Sequence, residues 1–114
     1  MTEDLKALFV SEEVQEFEIE HEGKKWKFKI KELPWLKVNQ LLGKALKISQ
    51  TGIEVQLDSW YENYLIEALV EAPWQLSETR LALRKLGPKF GAKLEKKVPR
   101  PESFVEDIDF FVRE

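Results

Sequence analysis

Phe17-Glu18-Ile19-Glu20-His21-Glu22-Gly23-Lys24-Lys25-Trp26-Lys27-Phe28-Lys29-Ile30 decides the fold of this 114-residue chain. Apolar and charged residues alternate strictly on both sides of Glu22-Gly23, the period-2 pattern of half-buried strands. Glu22-Gly23 suits a two-residue turn, since Gly tolerates the positive φ that hairpin turns demand. Folding there sets Ile19 opposite Trp26 and Phe17 opposite Phe28. On the other surface Glu20 meets Lys25, Glu18 meets Lys27 and Glu16 meets Lys29. The register is thus specified twice, by an apolar face and by a ladder of opposite charges. A ribbon with one apolar face needs a cover, and the rest of the chain supplies helices.

Length and composition fit one folded domain: 43% apolar, 11% aromatic and 34% charged residues, with Glu and Lys dominant. The chain has no Cys, one Met and one His, which with abundant Lys and Glu follows the hyperthermophile compositional trend. Absence of Cys excludes disulfides and thiolate zinc sites. A net charge of −3 argues against general nucleic-acid binding. Met1 to Val10 carries acids before a short apolar run, unlike a signal peptide, and no run is long enough to span a membrane. The expectation is a soluble, cytoplasmic protein with no membrane association.

Outward from the hairpin (residues 14 to 31), residues 2 to 12 read as a short helix capped by Thr2. Leu33-Pro34 stops the second strand and opens a helix with Trp35, Val38, Leu41, Leu42, Ala45 and Leu46 at helical spacing. Gly43 sits inside it, a weak point that would fit a close packing contact. Ser49 to Gly52 reads as a loop, and Ile53 to Leu57 as a candidate third strand. Asp58 caps a helix over Ser59 to Ala72, which Pro73 ends. Ser77 opens a helix to Leu86, and Pro88 to Lys97 forms another. The fold class is α+β: an N-terminal antiparallel β-hairpin packed against three to four helices. Residues 1–98 form a single domain, and residues 99–114 a Pro-flanked amphipathic C-terminal segment.

No set of residues assembles a catalytic site. His21 stands alone on the inward side of the hairpin, beside the turn, with no thiol or second imidazole to join it. Glu16, Glu18 and Glu20 alternate on the solvent face opposite lysines, where a charge ladder accounts for them, and they do not converge as an acid–base pair would. Glu106-Asp107-Ile108-Asp109 lacks the glycine and spacing of calcium loops. No phosphate loop, dinucleotide fingerprint or nucleophile elbow is present. Lysines and aromatics on opposite faces of the second strand cannot jointly grip a nucleic-acid strand. No cofactor, metal or catalytic residue is expected.

Candidate partner-binding residues are instead aromatic. Trp35, Trp60 and Trp74 each sit at an element boundary, where aromatics lock loops or anchor interfaces. Phe104, Ile108, Phe110 and Phe111 belong to the amphipathic terminal segment, which docks on its own domain or on a protein partner. Exposed hairpin edges also offer a route to a homo-oligomer.

The order of these features resembles the phage tail assembly chaperones. The likeness rests on a hairpin ending Lys27-Phe28-Lys29-Ile30-Lys31-Glu32-Leu33, a helix, a Gly-containing loop, and Asp58 opening a helix that finishes Leu69-Val70-Glu71-Ala72-Pro73. The following helices agree in length and order, so the resemblance covers residues 14 to 97. It lies in element order and punctuation, with no signature tetrapeptide, and the C-terminal segment has no counterpart in the pattern. The resemblance implies a non-enzymatic virion-assembly factor that binds the long helical tape-measure protein and keeps it soluble while the tail is built. Such proteins come from phages and proviruses and act in the host cytoplasm. The alternative is a general protein-interaction or regulatory module, an adaptor or antitoxin-like protein.

Overall fold

The computed structural model describes residues 3–104. Strands β1 (Val14–His21) and β2 (Lys24–Lys31) pair antiparallel in the register read from the sequence, Ile19 opposite Trp26 and Phe17 opposite Phe28. Glu22 and Gly23 both adopt positive φ, 52° and 81°, the signature of a type I′ turn. The turn's twist matches that of the strands it joins, which is why a non-glycine residue is held left-handed there. Phe28 is fully buried on the inner face, stacked on Phe17 at 5.2 Å.

Helix α2 (Trp35–Ala45) starts after Pro34, whose carbonyl accepts the Val38 N–H at 3.0 Å. It buries Val38, Leu41, Leu42 and Ala45. Gly43 marks no close approach: a Cβ there would meet nothing within 4 Å. The chain then forms a ribbon of β3 (Leu46–Ser49) and β4 (Gly52–Val55), closed at its base by Gln56 N–H donating to the Ala45 carbonyl at 2.7 Å. The Ile53 segment is therefore a strand, but one paired with residues 46–49 in a separate sheet. Ile48 and Ile53 face each other across the ribbon, and both are exposed.

The third strand of the main sheet comes from elsewhere. Helix α3 spans Leu57–Ala68, four residues short of the expected end, and Leu69–Glu71 forms β5 on the free edge of β2. Pro73 biases Ala72 away from helical φ/ψ, and β-branched Val70 favours extension. The open edge of β2 then gains more from pairing than α3 gains from another turn. Ile30 opposes Leu69 and Lys29 opposes Glu71, with an irregularity between the two pairs. Asp58 lies inside the first turn of α3 and makes no cap bond, the N-cap being Gln56.

A 3₁₀ turn over Leu76–Glu78 precedes α4 (Thr79–Lys85), so Ser77 is not the cap; Thr79 is the buried polar residue that fixes this corner. Its hydroxyl donates to the Leu76 carbonyl at 2.8 Å and accepts the Trp74 indole N–H at 3.1 Å. Helix α5 spans Pro88–Glu95, and a last 3₁₀ turn covers Pro101–Phe104. Near the N-terminus, helix α1 is a single turn, Glu3–Lys6; Leu8 and Phe9 beyond it are exposed, and Thr2 lies outside the described residues.

One core joins these parts. The inner face of the sheet (Ile19, Phe28, Ile30, Leu69) meets α2, α3 (Trp60, Tyr64, Leu65, Ala68) and α5 (Phe90, Leu94). The outer face carries the charges, in the one-side-wet arrangement common to antiparallel sheets. On that face Lys27 bonds Glu16 diagonally at 3.0 Å, and Lys29 reaches Glu71 directly across from it at 3.5 Å.

Two substitutions probe the backbone at open positions. Glu22→Asn relieves left-handed strain at the turn and is expected to add about 0.5 kcal/mol. Gly43→Ala fills empty space on an exposed helix face and should add about 0.5–1 kcal/mol. Urea unfolding checks both, and a loss of stability in either would contradict the backbone described.

Candidate binding groove

A groove of about 830 Å³ runs between α3, α4 and α5. Spacing along α3 places Tyr61 and Leu65 one turn apart on the side that lines it. Gly87-Pro88 stops α4 and starts α5 with Pro in its first turn, and this change of direction opens the groove between the two helices. Leu65, Leu94 and Val98 form a buried floor shared with the core; Leu83, Leu86 and Ala92 form apolar walls with more exposure. Gly91 also lines it, and a Cβ there would point into open space.

The rim is charged. Glu62 of α3 takes both arginines of α4: Arg84 Nε at 2.7 Å, Arg84 Nη2 at 3.3 Å and Arg80 Nη1 at 3.0 Å. The Arg84 hydrogen bond, opposed by partial burial and aided by both arginine charges, holds the Glu62 carboxyl below the usual carboxylate range. Asp58 and Glu95 add acid to the lining. At the α5 end, Arg100 lies 3.2 Å from Glu102 and 3.8 Å from Glu95. The Tyr61 hydroxyl and Glu102 Oε1 are shut off from solvent without a hydrogen-bond partner. Burial above all, and then the Glu95 charge, raises the Tyr61 phenol pKa.

A smaller cleft of about 550 Å³ lies where the end of β2 meets residues 96–104. Lys31, Lys96 and Lys97 line it together with Tyr64 and Phe104. Burial, followed by the Glu32 charge, raises the Tyr64 pKa.

The aromatic candidates are not brought together. Trp60 is fully buried, so its side chain holds the core: it packs on Tyr64 at 5.2 Å and donates its indole N–H to the Pro99 carbonyl at 2.9 Å. Trp74 is half-buried against Phe28. Phe104 packs on Trp60 at 5.8 Å and remains 42% exposed. Pro101 is also buried, so Pro99, Pro101 and Phe104 all pack against the core. Trp35 alone of the described candidates is a free surface aromatic, 76% exposed at the start of α2. Ile108, Phe110 and Phe111 lie outside the described residues.

His21 faces inward beside the turn as expected, edge-on to Phe90 at 5.4 Å, with Nδ1 3.4 Å from Lys93 Nζ. Among the described residues no group of three or more His, Asp or Glu side chains is placed to hold a metal ion, and no helix is long and apolar enough to cross a membrane. Sequence reading missed the groove. Arg80 and Arg84, one helical turn apart, were a legible cue that α4 presents a cationic stripe, but nothing local ties them to Glu62. Comparison of the chain with protein-family models, curated proteins and solved structures finds no match.

Glu62→Gln tests the clamp. The Glu62 pKa is lowered on folding from 4.5, so its contribution is complete above pH 4.5 and lost as pH falls through the folded-state value. The arginines are more than half exposed, which limits the effect at neutral pH to about 0.5–1 kcal/mol. Thermal melts of the wild type and variant should differ at pH 7 and converge as pH drops below 4.5. A difference independent of pH would refute the ion-pair account.

Proposed function

We propose that this chain is a non-enzymatic virion-assembly factor of the tail assembly chaperone kind. In this reading the groove between α3, α4 and α5 seats the apolar face of a helix from a tape-measure protein and keeps that client soluble. The observation that carries it is the groove itself: an apolar floor of Leu65, Leu94 and Val98 under a rim of Glu62, Arg84, Asp58 and Glu95. Such a surface recognises an amphipathic helix by shape and apolar contact while its charged rim keeps the unoccupied chain soluble. The resemblance in element order across residues 14 to 97 supplies the client's identity. Reversible holding needs no acid, base or nucleophile, which accords with a groove in which Glu62, Arg84 and Glu95 are engaged in ion pairs.

The decisive trial is co-expression with a tape-measure protein encoded beside this chain. Its soluble yield is expected to rise several-fold with the wild type. Gly91→Leu should abolish the gain, because the new side chain projects into the groove where a Cβ meets nothing within 4 Å. Gly91→Ala keeps the groove open and is the folding control. Absence of any gain, or a full gain with Gly91→Leu, would overturn this use of the groove. Selective retention of a protein unrelated to tails would favour the adaptor or antitoxin-like reading.

A further inference from the structure

We propose that the outer edge of β1 is a second docking site, which accepts an extended segment of a partner protein alternating Lys or Arg with apolar residues. The main sheet is ordered β1-β2-β5, so β1, eight residues long, is an edge strand. In a hairpin with a two-residue turn, His21 and Lys24 exchange backbone hydrogen bonds, and the pairs alternate from there. Val14, Glu16, Glu18 and Glu20 consequently turn their N–H and C=O groups outward. The outward Glu20 carbonyl is already capped by Lys93 Nζ at 2.9 Å, which closes the edge near the turn. Among the described residues, the outward groups of Glu16 and Glu18 make no other backbone bond. Among the described residues before β1, Ser11 is drawn away from this edge, its N–H donating to Glu32, beyond the end of β2.

Charge selects the occupant. Glu18 and Glu20 form no ion pair among the described residues, and Glu16 shares only Lys27. The lysines opposite them stand one strand further in, on β2, so the strip bordering the open edge is lined by Glu16, Glu18 and Glu20 on its solvent face and by the flank of half-buried Phe17 on its inner face. A strand added antiparallel would set basic residues opposite Glu16 and Glu18 and an apolar residue opposite Phe17, repeating on this side what β2 does on the other. A second copy fits poorly. Pairing β1 with itself about Phe17 sets Glu16 against Glu18, and pairing about Glu18 sets Glu16 against Glu20. This site is separate from the helical groove and does not depend on the function proposed for it.

The test uses a fluorescent peptide alternating Lys with Val and Thr, followed by anisotropy at low salt with the full chain. Binding is expected, weakening about tenfold or more with Glu16→Lys/Glu18→Lys, in which two attractive cross-strand pairs become repulsive. Glu18→Pro removes one outward N–H without touching the bonds to β2 and should weaken binding comparably. A peptide N-methylated on its β1-facing amides should bind poorly, as should one with Glu in place of Lys. Circular dichroism confirms that each variant is folded. Failure of the basic peptide to bind, or equal binding by the N-methylated peptide or by both variants, would overturn the proposal. So would a dimer of the chain alone that Glu18→Pro dissociates, since a second copy would then be the occupant.

Discussion

Burial of Phe28 is the constraint from which the rest of the fold follows. It is fully enclosed, stacked on Phe17, edge-on to Trp74 at 5.6 Å and near Phe90 at 6.2 Å. A two-stranded ribbon cannot enclose such a ring, because hairpins in isolation are marginal in water. Beyond β1 beside it, the cover has to come from two distant parts of the chain: the Trp74 corner after β5, and α5. Each arrives with its own lock. The indole of Trp74 is pinned by Thr79, and α5 is pinned by Lys93 on the Glu20 carbonyl. Loss of either lock would expose the same ring.

The charges obey a complementary logic. Alternation sends Glu16, Glu18, Lys27 and Lys29 to the outer face of the sheet, where exposure limits each pair to a small stabilising effect. Their greater influence is on register, because a slip of one residue would bury charge and expose Phe28 together. The arginines of α4 act differently, since Glu62 is mostly sheltered and accepts hydrogen bonds from both.

What was legible in the sequence was local and periodic. The β1–β2 register could be read residue by residue because two independent patterns, apolar and ionic, demanded the same pairing. Proline marked the start of α2 for the same reason: its effect is confined to neighbouring residues. The departures arose where distant parts compete. Leu69 to Glu71 carries helical spacing, but the vacant edge of β2 recruits it. Ile53 to Leu57 reads as a strand and is one as far as Val55, yet its partner is Leu46 to Ser49, which reads as the last apolar position of a helix running into a loop. Trp60 looks like an interface anchor from its boundary position, while its indole nitrogen is satisfied by a carbonyl 39 residues away. The groove was invisible for the same reason, since it exists only once α3, α4 and α5 converge.

That convergence is unequal, and the inequality bears on what the groove can do. Its floor belongs to the core, and α3 and α5 each bury large side chains there. Helix α4 buries Thr79 alone, and Leu81 on its surface is 54% exposed. It is held by the Glu62 clamp along its length and by the Trp74–Thr79 bond at its start. A wall with so little buried apolar area belongs to the low-stability end of a structure, where local opening costs least. On the function proposed above, a floor fixed by the core beneath a wall held by polar contacts and by Leu83 would admit apolar faces of differing width without disturbing Phe28. An occupant that bridges the two would bind the folded state alone and stabilise it in proportion to its saturation. The more loosely packed wall thus stands over the groove, and the tightest packing lies where register has to be preserved.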